Sequence, residues 1–316
     1  MLRIAVAALF AALLSTTALA AEVKYFPLPP GSGPRDVAPA TDGRVWYTAQ
    51  KLGLLGLLDP MTGQSQQVAL GAGSSPRGVV VGQDGAAWVT DAGLNALVKV
   101  DPDRLATKHY PLPGNAADAG LNSATFDRAG MLWFTGQHGF YGRLDPKSGD
   151  IEVWRAPGGA GPYGITTTPD GEIWYASLDG KHIARIDTAS GHAEVITSPE
   201  AQQGPQRIWS DSKGTLWVSE SGSGTLSRYD PLANAWNSWA LPGDKADAHA
   251  MFVDEQDRIW ISDFASNSIL RFNPFSQRFT AFPSDQANAR VLQLSGRIGE
   301  VWGAESGLDR LVMIRD

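Results

Sequence analysis

A tryptophan returns along this chain at a near-constant interval: Trp46, Trp88, Trp133, Trp174, Trp217, Trp260 and Trp302, separated by 42, 45, 41, 43, 43 and 42 residues. Each follows an apolar or small residue and precedes a short run containing Thr, Ser or Ala. Seven of the 11 tryptophans stand on this ladder, which identifies a repeated unit. Such a period belongs to solenoids and propellers. Between anchors the chain runs in short pieces broken by Gly, Pro, Asp and Asn, the pattern of strands and tight turns. No long apolar stripe with caps at both ends suggests a helix. Four short strands per repeat make a propeller blade, so the ladder predicts an all-β chain closed into a seven-bladed β-propeller with four-stranded blades.

The clearest copy of the unit runs from Gly161 through Trp174 to Asp187. A Pro-led first strand meets a turn such as Asp42-Gly43, Asp84-Gly85 or Asp170-Gly171, suited to joining antiparallel neighbours. The Trp strand follows. A third strand then stops at Asp-Pro, as at Asp59-Pro60 and Asp101-Pro102, because proline cannot donate to a ladder. The outer strand often reads like Tyr110-Pro-Leu-Pro113. The stretch Val23–Pro29 is an outer strand with no blade before it, and Leu311–Asp316 is a third strand with no outer strand after it. The amino-terminal strand is therefore expected to complete the seventh blade and remove two open sheet edges. The ladder itself is a packing device: a large flat ring on each blade fills the wedge against its neighbour.

Length allows two domains, but the unbroken repeat over residues 21–316 argues for one. Residues 1–20 read as a secretory leader: Arg3, an apolar run from Ile4 to Leu14 too short to span a bilayer, then Ala18-Leu19-Ala20. The mature chain is expected to be periplasmic or secreted, without a membrane anchor. Cysteine is absent, so the fold does not rest on disulfides. Formal charge is −7 and no Lys/Arg cluster offers a phosphate-binding stripe, which argues against nucleic acid. Nothing calls for an obligate partner, and a monomer is expected.

Function on a propeller is expected where the first strands open onto the central channel. Counting eleven residues back from each anchor gives Arg35, Arg77, Asn122, Tyr163, Gln206, His249 and Val291. Arg290 stands one step earlier than Val291 and joins this ring if the last repeat slips by one. The variety of these groups suits recognition of one asymmetric small molecule, although channel-mouth residues are also simply wet. Three residues after each anchor stand Ala49, Asp91, Gly136, Ser177, Glu220, Asp263 and Glu305. Four of these are carboxylates, able to hold a metal, to move protons, or to pair with the arginines and cap turns. Among the histidines, His109, His182 and His192 read as peripheral, and His138 follows the third Trp strand towards a mouth loop. His249 alone opens an inner strand and is the first choice for a reactive group. No nucleophile elbow, zinc-binding helix or phosphate loop is present.

With Pro-x-Gly-Ile, Asp-Gly-x-Ile-Trp-Tyr-Ala and Ile-x-Arg-Ile-Asp in one repeat and Tyr-x-Leu-Pro between repeats, the sequence resembles the streptogramin B (virginiamycin B) lyase family over residues 23–316. The resemblance implies magnesium-dependent elimination that linearises a cyclic depsipeptide: a histidine takes the proton α to a carbonyl, glutamates hold the metal, and the ester oxygen leaves. It gives His249 the place of the family's substrate-contacting histidine and Glu305 that of a metal carboxylate. The family's Glu-x-His opening of the last blade is replaced by Asn288-Ala289-Arg290-Val291, which removes its general base and one metal ligand. Asp247 and Asp263 around His249 offer a substitute set, with Asp263 as a second metal ligand. The chain is thus expected to be an exported lyase-like enzyme acting on a cyclic ester or lactone. The alternatives are a periplasmic propeller that binds a ligand or protein without catalysis, or a calcium-dependent lactonase on a similar fold.

Overall fold

The computed structural model describes residues 21–199 and 204–316; the leader expected over residues 1–20 lies outside the described residues. Seven four-stranded sheets follow one another around a ring, each with every neighbouring pair antiparallel. Helix is limited, among the described residues, to the short turns Gln50–Leu52 and Gly114–Ala116. No helix among them is long and apolar enough to cross a membrane.

The ring closes as the sequence pattern expects. Glu22–Pro27 pairs with Arg310–Arg315 from Glu22↔Arg315 to Pro27↔Arg310, supplying the outer strand of the seventh blade. Phe26 packs 5.1 Å from Trp302, and the Arg310 guanidinium lies 3.8 Å over the Tyr25 ring. Just beyond the strand, the N–H groups of Gly31 and Gly33 each donate to the Asp309 carboxylate at 2.7 Å. The clasp therefore joins the chain's two ends through backbone, apolar and charged contacts at once.

All seven anchor tryptophans are buried to 1 % exposure or less. Each fills the wedge between its own blade and the next: Trp46 meets Val79 and Val89 of the second blade, and Trp302 meets Val37 and Tyr47 of the first. Burying such a ring stabilises by several kcal/mol, and truncation to alanine costs about 3–5 kcal/mol. In five blades the indole N–H is also satisfied by an acid of the preceding hairpin: Asp127, Glu172, Asp211, Asp254 and Glu300 accept at 2.7–3.0 Å. The acidic turns thus hold the rings as well as reverse the chain.

A second device locks neighbouring blades at the axis. Thr48, Thr90, Thr135, Ser219 and Ser262, each two residues past an anchor, donate to the inner-strand carbonyls of Arg77, Asn122, Tyr163, His249 and Val291 in the next blade. The same hydroxyls accept an N–H from their own inner strands, as with Asp36 N–H to Thr48 at 2.9 Å. These bonds fix the backbone of the residues that ring the channel.

Candidate functional site at the channel mouth

The inner strands Pro34–Pro39, Pro76–Val81, Leu121–Phe126, Pro162–Thr167, Pro205–Ser210 and Ala248–Val253 each begin at the mouth. Arg35, Arg77, Asn122, Tyr163, Gln206 and His249 occupy the second position of these strands. The seventh blade departs. There Ser295 faces Trp302, as Phe252 faces Trp260 in the sixth, so its hairpin is one residue shorter and Leu292 holds the equivalent place. The slip runs opposite to the one that brings in Arg290. Arg290 precedes the strand with φ +50°, and its guanidinium sits 5.4 Å over the Phe264 ring.

Side chains from distant blades meet across the mouth. Arg35 Nη2 donates to the Tyr163 hydroxyl at 3.0 Å, and the Arg207 guanidinium lies 4.7 Å over the Tyr163 ring. Arg207, only 6 % exposed, donates to Ser123 Oγ at 2.7 Å and to the Leu292 carbonyl at 3.4 Å. Its approach depends on Gly164: a Cβ there would stand 2.8 Å from the Arg207 Cα, closer than packed atoms tolerate. Arg77 donates to Gln137 Oε1. Burial opposes ionisation of Tyr163, yet Arg207, Arg35 and Arg77 outweigh it and bring the phenol down to about 8. Beneath lies a channel cavity of about 180 Å³ lined by Asp36, Ser123, Thr125, Thr167, Arg207 and Gln293. Burial lifts Asp36 to about 6 against the opposing pull of Arg207 and of the Val79 and Val37 N–H groups.

His249 stacks on Phe264 with ring centroids 3.8 Å apart and planes 9° apart. Its Nε2 lies 3.1 Å from Asp247 Oδ1. Burial lowers its pKa; Asp247 opposes this and the Arg207 and Arg290 charges reinforce it. Phe264, in contact with both His249 and Arg290, links these two expected site residues.

Two of the carboxylates three residues past the anchors, Asp263 and Asp91, are taken up by backbone N–H groups of loops. Asp263 accepts from the N–H groups of Asp247, Ala265 and Ser266 at 2.7, 3.2 and 3.1 Å. Asp91 caps its loop likewise, accepting from Ser75 and Leu94 N–H. Glu305 accepts from Ser284 Oγ at 3.0 Å and is ion-paired with Arg310; burial raises its pKa against that pairing. Among the described residues no three Asp, Glu or His side chains stand together in a metal-binding arrangement. Glu305 and Asp263, expected as magnesium ligands, are thus engaged by an arginine and by loop amides, and as placed they do not fit a shared divalent cation. His138 sits at a mouth loop, its Nδ1 2.7 Å from the Asp118 carbonyl.

Sequence reasoning missed Arg207, Asp36 and Phe264. A signal existed for the first two. Ten residues before the anchors the chain reads Asp36, Gly78, Ser123, Gly164, Arg207 and Ala250; the two charges stand out in an otherwise small or neutral series.

Seven four-stranded sheets in a ring, with arginines gathered at one mouth of a polar channel, define a seven-bladed β-propeller. The profile of the Virginiamycin B lyase family matches residues 11–272, and the chain belongs to that family. Solved structures agree in fold. Virginiamycin B lyase from Staphylococcus aureus superposes with a TM-score of 0.87 at 20 % identity, over 94 % of this chain and 100 % of that one. A streptogramin B lyase gives 0.85 at 24 %, over 93 % and 97 %. Hydrazine synthase from Kuenenia stuttgartiensis gives 0.75 at 13 %, over 92 % and 97 %. Among proteins of curated function, none matches the sequence.

Proposed function

We propose that this protein is an exported member of the family that binds a small molecule at the channel mouth and does not catalyse metal-assisted elimination. The observation that carries the reading is a contrast in occupancy of polar groups. Glu305 and Asp263 have their oxygens taken by Arg310, Ser284 and loop N–H groups. At the mouth, buried atoms of Arg35, Arg77, Asn122, Gln206 and Arg207 have no hydrogen-bond partner. Buried polar groups are normally satisfied, so the gathering of five such atoms at one mouth supports a ligand there. A relative bears on the separation of binding from turnover: a catalytically inactive variant of the Staphylococcus aureus enzyme carries quinupristin. Arg35, Arg77, Asn122, Tyr163 and Gln206 would contact the ligand, with His249 and Arg290 at the edge formed around Phe264.

The test is incubation with a streptogramin B compound and magnesium, followed by mass spectrometry, beside a binding measurement on the same compound. No linear product is expected. A linear product that depends on magnesium would sink the reading.

One contact favours a second reading, a residual elimination with His249 as base. Its ring stands beside Asp247 and its depressed pKa keeps it neutral near pH 7, the form able to accept a proton. Turnover of any cyclic ester that disappears in His249→Ala while binding persists would establish it.

A further inference from the structure

We propose that the mouth is an oxyanion site: Arg35, Arg77 and buried Arg207, converging on Tyr163, take up a carboxylate or phosphate-like group of a small ligand. This rests on the mouth being a binding site and adds the chemical class of what enters it.

Cations from blades one and five meet at one phenol of blade four, and Arg77 of blade two, bonded to Gln137, acts on it from farther off. Arg35 bonds its oxygen at 3.0 Å, Arg207 covers its ring at 4.7 Å, and Arg77 acts on it through space. Among the described residues none of the three is ion-paired with a carboxylate. Asp36 is the acid that Arg207 feels, and its two oxygens already accept the Val37 and Val79 N–H groups at 2.7 and 3.0 Å. Arg77 feels Asp118, also without an ion pair. Across the mouth stand Arg290 and His249, and the one carboxylate beside them, Asp247, lies 3.1 Å from the His249 Nε2.

The unpaired atoms agree in kind. Nε of Arg35, of Arg77 and of Arg207, together with Asn122 Nδ2, are buried donors without an acceptor; Gln206 Oε1 is the acceptor among the mouth's unpaired atoms. Leaving such a donor unmet is costly, because it has given up its water without a replacement. An apolar ligand leaves all four unmet, and a cation meets three like charges. An oxyanion supplies several acceptor oxygens at once, and planar guanidinium groups suit that geometry. The chain's net charge of −7 is spread over the surface, and charges beyond about 10 Å are largely screened, so the local field decides.

The experiment titrates the phenolate absorbance of the full chain from pH 6 to 11, in sodium chloride and at equal ionic strength in sodium sulfate or sodium malonate. Bound dianion beside Tyr163 opposes its ionisation, so its low step moves up by about one pH unit, a ten-fold change in proton affinity. Movement with sulfate alone identifies a tetrahedral oxyanion, with malonate alone a carboxylate; either supports the site. If neither anion moves the step beyond the chloride control, the proposal fails. Arg35→Gln and Arg77→Gln, at half-buried positions, should each weaken anion affinity about ten-fold; unchanged affinity in both overturns the assignment. Tyr163→Phe should abolish the low step, and an anion-dependent step that survives there refutes it too. A neutral compound that binds the mouth while neither anion moves the step defeats the oxyanion assignment and leaves the binding reading standing. Magnesium-dependent turnover defeats the non-catalytic reading and leaves the anion titration standing.

Discussion

Arg35 of the first blade and Tyr163 of the fourth meet across the channel mouth, the guanidinium Nη2 donating to the phenol oxygen at 3.0 Å. The contact spans the ring, so it bridges blades that share no sheet and no hydrophobic wedge. It also ties a titrating group to the mouth.

That tie has a pH signature. With Tyr163 near 8 in the folded chain and about 10 when unfolded, both states hold the proton below pH 8 and the phenol contributes nothing. Between 8 and 10 the folded chain has released a proton that the unfolded chain retains, so stability rises with pH across that window. The gain is on the order of 2 kcal/mol. Denaturant melts of the wild type at pH 7.5 and pH 10 should diverge from those of Tyr163→Phe by that amount. Parallel behaviour of the two would contradict the arginine cluster.

Asp36 behaves with the opposite sign. Its folded pKa, about 6, lies above the model-peptide 3.8, so its contribution is fully present below pH 4 and is lost as pH rises through 6. Relative to Asp36→Asn, the wild type should lose on the order of 2 kcal/mol between pH 4 and pH 7. Urea titrations of both proteins at those two pH values measure the difference; a gap that does not change with pH would place Asp36 outside the buried channel.

The fold was legible because its rule is periodic. Trp46 to Trp302 repeat at nearly one interval, and a propeller turns sequence interval into position around an axis, so Arg35, Arg77, Asn122, Tyr163, Gln206 and His249 could be assigned to one ring by counting. Counting fails where one hairpin loses a residue, which is why Leu292 stands where Val291 or Arg290 was expected. The carboxylates were illegible for another reason. Whether Asp263 faces a cation or a loop depends on where the N–H groups of Asp247, Ala265 and Ser266 point, and no spacing rule encodes that. Glu305 is held by Arg310, five residues on, a pairing that exists only once the third strand folds back. Arg207 was hidden because its neighbours in the series, Gly164 and Ala250, are small, and Gly164 is small so that Arg207 can approach.

The clasp should dominate thermal stability. Glu22–Pro27 contributes the whole outer strand of the last blade, and Phe26 shields Trp302. Without residues 21–30, the edge of Arg310–Arg315 opens and Trp302 loses its cover. The loss exceeds several kcal/mol, and a domain of this size drops roughly 2–4 °C per kcal/mol, so the melting temperature should fall by more than about 10 °C in a calorimetric scan. An unchanged melt would refute the closure.

Thr135→Val tests whether the locks between blades also tune the mouth. The Thr135 hydroxyl donates to the Tyr163 carbonyl at 2.5 Å and accepts the Ser123 N–H at 3.3 Å. Valine fills the same volume, so the change removes hydrogen bonds and leaves packing nearly intact. A buried carbonyl and a buried N–H are then unmet, at a cost of about 1–3 kcal/mol each. Total destabilisation of roughly 2–6 kcal/mol is expected in denaturant melts. A second consequence follows from position: Ser123 also receives Arg207 Nη1 at 2.7 Å, and Tyr163 carries the stacked face of that arginine. Freeing both backbones loosens Arg207 from the phenol, so the low phenolate step should move up towards 10 in the folded variant. Thr48→Val, which frees the Arg77 carbonyl and the Asp36 N–H instead, should destabilise comparably while moving the step less. Equal displacement in both variants would mean that Tyr163 answers to the ring as a whole and not to Arg207.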